Sequence, residues 1–322
     1  MFDQKLRVAA QIVAVAESVT VSADGLKAEV AGEVIEADNP TSLAQQIGDT
    51  LYEIVHAGRD KRTDSIQRSL RDPAFESVLL DATSNRTTTA PARYLTGDEE
   101  TAIVVLDGLR VRVPTSSIAE RSGEMATVTL PCARPGVSVG FFLATSGKVP
   151  YRSAGHVLRL YGRLDSADVA APVWRQLVDF LEDAGVPWQA KISSSKSGYP
   201  RNDAVVVYLP RPSWRVARAC AAMLEATGLT GEGTSAFAHP ITRSVSCAFE
   251  PDDQRANYRG MSFGQHRATV LGEALVRHAT LPEEESVPVA DRVYQAFIDA
   301  GIDPSQPARN LSSPVVDVLS PS

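Results

Sequence analysis

Two short runs, Trp188-Gln189-Ala190-Lys191-Ile192-Ser193 and Ala204-Val205-Val206-Val207-Tyr208-Leu209, flank a loop rich in serine, glycine and cations. The first alternates and the second is β-branched, so both read as strands. Working back from them, Ala167–Ala184 has helical spacing and ends at Gly185 before Val186-Pro187, a stop signal. Val157–Tyr161 before it is another strand. Working forward, Ser213–Thr227 reads as a helix and Gly228–Gly260 as irregular chain. Helices follow from Phe263 to about His278 and from Val287 to Ala300.

The N-terminal half has a different texture. Leu6, Val8, Ile12, Val13, Val15 and Ala16 recur with helical spacing. Residues 18–36 alternate about Asp24-Gly25 as a small hairpin, and Ser42–His56 forms a second amphipathic helix. The polar stretch from Gly58 to about Arg93 holds a short helix around Thr63–Leu70 and a loop at Thr83–Thr89. Strands Ala102–Leu106 and Leu109–Val113 meet at Asp107-Gly108, a hairpin signal. Ala126–Leu130 and Val137–Leu143 flank a turn at Ala133-Arg134-Pro135-Gly136. These elements predict an α+β fold with mixed or antiparallel sheets and packed helices. The change of texture divides the chain into two domains, 1–148 and 149–322.

Composition narrows the function. The chain has 322 residues, 43% of them hydrophobic and 22% charged, with a net charge of −7. Its acidity argues against nucleic acid as a partner, which usually meets a basic domain. The apolar runs are far shorter than the ~20 residues of a membrane span, and the first residues lack a signal-peptide pattern. A cytoplasmic, non-membrane protein is expected. Cys132, Cys220 and Cys247 are too scattered for a disulfide framework or a zinc site, and the five histidines show no metal-ligand spacing. No P-loop, kinase, zincin or Gly-x-Ser-x-Gly motif occurs.

Local charge is more telling. Between Trp188 and Arg218 six cations (Lys191, Lys196, Arg201, Arg211, Arg215 and Arg218) face a single anion, Asp203. Arg211, Arg215 and Arg218 read as a solvated helix face. The loop Lys191–Arg201 carries three cations and four serines, and reads either as a phosphate-holding loop or as an ordinary connection. Lys191 lies on the strand face opposite Ile192. Crowded by Lys196 and Arg201, its ammonium would lose its proton more easily and could serve as a base; alternatively it is a solvent-facing strand lysine. Arg159 and Tyr161 share one face of their strand. Arg243, Arg255, Arg259 and Arg267 add cations further on, and His266 sits at a helix start that favours anions.

Several of these stretches, taken in order, resemble the HopA-type effector family. They are Arg159-Leu160-Tyr161, Gln189-Ala190-Lys191-Ile192, the run from Arg201 to Tyr208, Ser262-Phe263-Gly264-Gln265-His266-Arg267, and Gly301-Ile302-Asp303-Pro304 with Asn310. Bacterial biosynthetic members of that family include the lyase subunits of class V lanthipeptide synthetases and relatives in thioamitide pathways. The resemblance implies a phosphoserine/phosphothreonine lyase acting on a precursor peptide that a separate aminoglycoside-phosphotransferase-like kinase has phosphorylated. The products would be dehydroalanine and dehydrobutyrine, passed on to a cyclase, and no metal or other cofactor is required. The Lys191 strand is also similar to that of the phosphothreonine lyase effectors, which implies Lys191 as base. Lys196, Arg201, Arg159, Arg267 and Arg243 are then the expected phosphate ligands. The general acid stays open among Tyr161, His156 and His266. Residues 1–148 resemble no family, and leader-peptide or partner binding is the expectation for them. The competing reading is a non-catalytic scaffold that binds precursor peptide and kinase.

Overall fold

The computed structural model describes residues 8–59, 71–152, 155–282 and 287–319. Helix α1 (Ala10–Glu17) leads into a three-stranded antiparallel sheet of β1 (Val19–Val21), β2 (Lys27–Val30) and β3 (Glu33–Glu36). The hairpin expected about Asp24-Gly25 is thus present as β1–β2, and a second turn adds β3. Helix α2 (Pro40–Leu51) starts where the Asn39 side chain accepts from the Ser42 amide at 2.9 Å. It continues into a π-helical turn, Tyr52–His56, a feature that often marks functional sites. The helix expected around Thr63–Leu70 lies outside the described residues. Helix α3 (Pro73–Asp81) follows.

Strands β4 (Thr87–Gly97), β5 (Thr101–Leu106), β6 (Leu109–Pro114), β7 (Ile118–Ser122) and β8 (Met125–Pro131) form an antiparallel sheet in the order β6-β5-β4-β8-β7. It encloses a small core of Ala92, Ala102, Val104, Val113 and Val128. The Asp107-Gly108 turn is as expected, with φ of 46° and 84°, the left-handed pair a two-residue hairpin needs. The loop expected at Thr83–Thr89 is corrected. From Thr87 onward this chain is strand, because β-branched threonines suit a pleated surface despite their polarity.

The larger sheet has seven strands in the order β14-β15-β11-β13-β12-β10-β9. These are β9 (Ala133–Ser138), β10 (Phe141–Thr145), β11 (Leu158–Leu164), β12 (Gln189–Ser193), β13 (Arg201–Leu209), β14 (His239–Pro240) and β15 (Val245–Phe249), all antiparallel. Two expectations change here. The supposed turn Ala133–Gly136 belongs to edge strand β9, where Pro135 is tolerated; Gly140, at φ 74°, marks the actual bend. Within the supposedly irregular Gly228–Gly260 lies β15, buried along its whole length and therefore without alternation. Strands from both sides of residue 148 hydrogen-bond in this one sheet.

Helices cover both faces. On one, Trp174 of α4 (Ala170–Asp183) meets Phe142 edge-on at 5.9 Å, and Leu224 of α5 (Ala217–Ala226) lies over Gly162. On the other, α6 (Phe263–Thr280) lies over the sheet with α2 against it. A Cβ on Gly272 would stand 2.7 Å from the Ala44 carbonyl, so glycine sets how closely α2 and α6 approach. Helix α7 (Val289–Asp299) packs on α6 and α1. A single apolar core links the large sheet to Ile12, Leu43, Ile47 and Leu51 of the N-terminal helices. Among the described residues, no helix is long and apolar enough to cross a membrane.

Candidate active site

The β-sheet register places the site. Lys191 on β12 stands opposite Leu143 on β10 and Val206 on β13, and Val206 stands opposite Tyr161 on β11. Directly paired residues share a face, and so do alternate residues along a strand. Lys191, Tyr161, Arg159, Tyr208 and Phe141 therefore point to the α6 side of the sheet. The Lys191 ammonium sits 3.9 Å from the Phe141 ring centroid, and the Arg201 guanidinium lies 5.0 Å from the same ring.

Arg201 and Asp203 reach this face through an irregularity. Between Gly162 and Leu164 the register slips, so that two steps along β11 span four along β13, from Val205 to Arg201. Within this stretch the backbone leaves regular pairing, so parity does not fix where Arg201 and Asp203 point, and their contacts with Phe141 and Tyr52 place them on the α6 side. Asp203 accepts two bonds from Arg201, at 2.6 and 3.0 Å, and a third from the Tyr52 hydroxyl at 3.3 Å. His56 brings Nε2 to 3.7 Å from the same carboxylate, and its Nδ1 is 2.9 Å from the Ser235 hydroxyl. The π-helical turn delivers both Tyr52 and His56. Opposite them Gly264 is indispensable: a Cβ there would fall 2.1 Å from Cδ2 of His56. The rings of His56 and Phe263 lie 5.2 and 5.8 Å from that of Tyr161 and roof it.

Electrostatics follow from burial. Desolvation lowers the Lys191 pKa to about 8; Arg159 and Arg201 push the same way, against Asp203 and Glu250. Burial raises the Tyr161 phenol well above its ordinary value, so it stays protonated; nearby Arg159 opposes this only in part. Burial lowers His56 to about 4 despite Asp203. Asp203 itself is held below the usual carboxylate range: burial works against its charge, and Arg201 outweighs that penalty. Arg159 is buried and donates from Nη2 to Glu250 at 2.6 Å. The face thus offers a lysine that readily loses its proton, between two fixed guanidinium groups.

The fold brings together Lys191, Tyr161, Arg159 and Arg201 of the residues expected from sequence. Lys196 is exposed, on the turn Lys196–Gly198 of the β12–β13 loop. That loop holds itself together, with Ser195 2.9 Å from Ser197 and the Tyr199 hydroxyl donating to the Ser193 carbonyl at 3.0 Å. His156 is exposed and edge-on to Phe249, whose register partner Leu158 points to the α5 side, away from Lys191. Arg243 pairs with Glu225 of α5 and with Glu232, again behind the sheet.

His266 and Arg267 serve the C-terminal segment. Arg267 is fully buried and donates to the carbonyls of Pro307 (2.9 Å) and Arg309 (3.1 Å) and to Asn310 Oδ1 (2.7 Å). It also donates to His266 Nδ1 at 2.8 Å. Because arginine only donates, Nδ1 must accept, and the His266 proton sits on Nε2, 3.0 Å from Asp253. Burial lowers His266 to about 4, aided by Arg267 and opposed by Asp253. The hydrogen bonds of these two side chains run to the C-terminal segment, to Asp253 and to each other.

Sequence reasoning left out Tyr52, His56, Asp203, Phe141 and Glu250. Asp203 carried the best signal, as the single anion among six cations. His56 had none beyond its place at the end of an amphipathic helix. Among the described residues, no three His, Cys, Asp or Glu side chains converge as a metal site would need.

The model of the HopA1 effector protein family matches residues 132–309, from β9 to the segment clamped by Arg267. Among solved structures, the effector protein from Pseudomonas syringae pv. tomato strain DC3000 is similar over 84% of this chain and 95% of its own, at 16% identity and a TM-score of 0.47. The effector protein from Pseudomonas syringae pv. syringae strain 61 is similar over 84% and 96%, at 13% identity and a TM-score of 0.44. Comparison with curated proteins gave no match. The family match spans more than half of the sequence, and the chain belongs to the HopA1 effector protein family.

Proposed function

We propose that the protein is a phosphoserine/phosphothreonine lyase acting on a phosphorylated ribosomal precursor peptide. The observation that carries this reading is Lys191, its pKa lowered to about 8 on a sheet face shared with Arg159 and Arg201. The neutral amine takes the Cα proton of the phosphorylated residue. The freed electron pair forms the Cα=Cβ bond, the Cβ–O bond breaks, and phosphate leaves with that bond's electrons. Arg201 and Arg159 offset the charge on the departing phosphate, and Tyr161, kept protonated, donates to it. Lys196, on the exposed loop, meets the phosphate at the entrance. The product is dehydroalanine from serine and dehydrobutyrine from threonine.

In this reading a separate aminoglycoside-phosphotransferase-like kinase supplies the substrate, a cyclase consumes the product, and residues 1–148 engage the leader peptide or a partner. The test is mass spectrometry of a phosphoserine peptide incubated with the protein. Elimination removes phosphoric acid, about 98 Da, by general-base chemistry. A peptide that binds with unchanged mass, also in the presence of the kinase, would instead make the protein a scaffold.

A further inference from the structure

Among the described residues, three buried side-chain atoms on the Lys191 face make no well-formed hydrogen bond: Nε of Arg159, Oη of Tyr161 and Oγ of Ser246. Other orphaned atoms occur in the molecule, but these three are neighbours through the sheet register. Arg159 and Tyr161 alternate on β11, and Tyr161 stands directly opposite Ser246 on β15. Such a pair shares a face, with Cβ atoms about 4.5–5.5 Å apart. Folded chains seldom leave buried polar atoms unpaired, and a group of them facing one place calls for an occupant.

We propose that Arg159 Nε, Tyr161 Oη and Ser246 Oγ form a closed donor pocket that seats a phosphoryl oxygen of a phosphomonoester, with Ser246 as a phosphate ligand. The substrate class rests on the lyase reading; the pocket does not. All three groups can donate, and one of them is cationic, as an anionic oxygen requires. Glu250 grips Arg159 by Nη2 and leaves Nε to the pocket. His56 and Phe263 roof Tyr161, so the pocket is closed on the helix side. A phosphoryl group ends a side chain and can enter a dead end. A peptide carbonyl lies within a chain that must continue in both directions, and a roofed pocket gives it no exit.

The test uses the full chain and inorganic phosphate in a calorimetric titration, comparing wild type with Ser246→Ala and Tyr161→Phe. Ser246→Ala deletes an oxygen that the empty fold does not use, so its thermal midpoint without phosphate should stay level or rise; Tyr161→Phe also removes the contact of the hydroxyl with the Arg159 guanidinium. Phosphate affinity should fall about tenfold in each, the size of one lost hydrogen bond to an anion. Unchanged affinity in Ser246→Ala would mean a water pocket only and overturn the proposal, as would a wild type that binds no phosphate. A fall in kcat with phosphate affinity intact would assign the pocket to the carbonyl oxygen, and also overturn it. Phosphate binding that depends on Ser246, in a protein that never eliminates, would sink the lyase reading and keep the pocket.

Discussion

Arg201 and Asp203, two residues apart on β13, form a two-pronged ion pair, Nε to Oδ1 at 2.6 Å and Nη2 to Oδ2 at 3.0 Å. Both side chains are nearly sealed from water, and the Tyr52 hydroxyl bridges them. The pair fixes the guanidinium beside Lys191 and keeps its charge compensated when no anion is bound. Removing one partner of a buried pair strands the other, at a cost of about 3–5 kcal/mol. Asp203→Asn should therefore lower stability by about that amount in denaturant unfolding. A loss below about 1 kcal/mol would show that Arg201 does not depend on Asp203.

Arg267 separates a structural role from phosphate binding. Its donors hold the carbonyls of residues 307 and 309 and the Asn310 side chain. Arg267→Met would leave several buried acceptors unpaired, each costing about 1–3 kcal/mol. We expect a loss of about 3 kcal/mol or more, with phosphate affinity unchanged in the folded protein. A variant of full stability that no longer binds phosphate would return Arg267 to the anion site.

Stability should also fall in mild acid. His56 and His266 both drop from 6.5 to about 4 in the folded chain. Below pH 6.5 the unfolded state binds protons that the folded state refuses. Their contribution is therefore full above 6.5 and is lost progressively as the pH falls toward 4. Each histidine adds a slope of up to about 1.4 kcal/mol per pH unit. Unfolding free energies at about pH 7 and about pH 5 should show the drop, and His56→Gln should lessen it. Equal stability at both values would contradict the buried neutral state of these rings.

What could be read from sequence divides along physical lines. Lys191 was legible because Gln189–Ile192 alternates, and alternation fixes a face. The Asp107-Gly108 turn was legible because its chemistry is local. Strand β15 escaped because burial on both faces removes the alternation that identifies a strand. Asp203 escaped as a site residue because it lies where the ladder is irregular, so strand parity does not tell its direction. His266 reads as a candidate acid at a helix start, but it is held by Asp253, thirteen residues before it, and by Arg267, which is itself anchored on a C-terminal segment some forty residues away. Buried polar networks of this kind depend on tertiary contacts that no local pattern carries.

The central claim is that Lys191 is the base, and the pH profile of elimination tests it most directly. For wild type, kcat/KM on a phosphoserine peptide should rise with pH and level off above about 8, as the free amine becomes the dominant form. Lys191→Arg keeps the charge but cannot release a proton, and should bind the peptide while eliminating at least ~100-fold more slowly at every pH. A Lys191→Arg enzyme that eliminates as fast as wild type, or a wild-type profile flat between about pH 6 and about pH 9, would contradict the account.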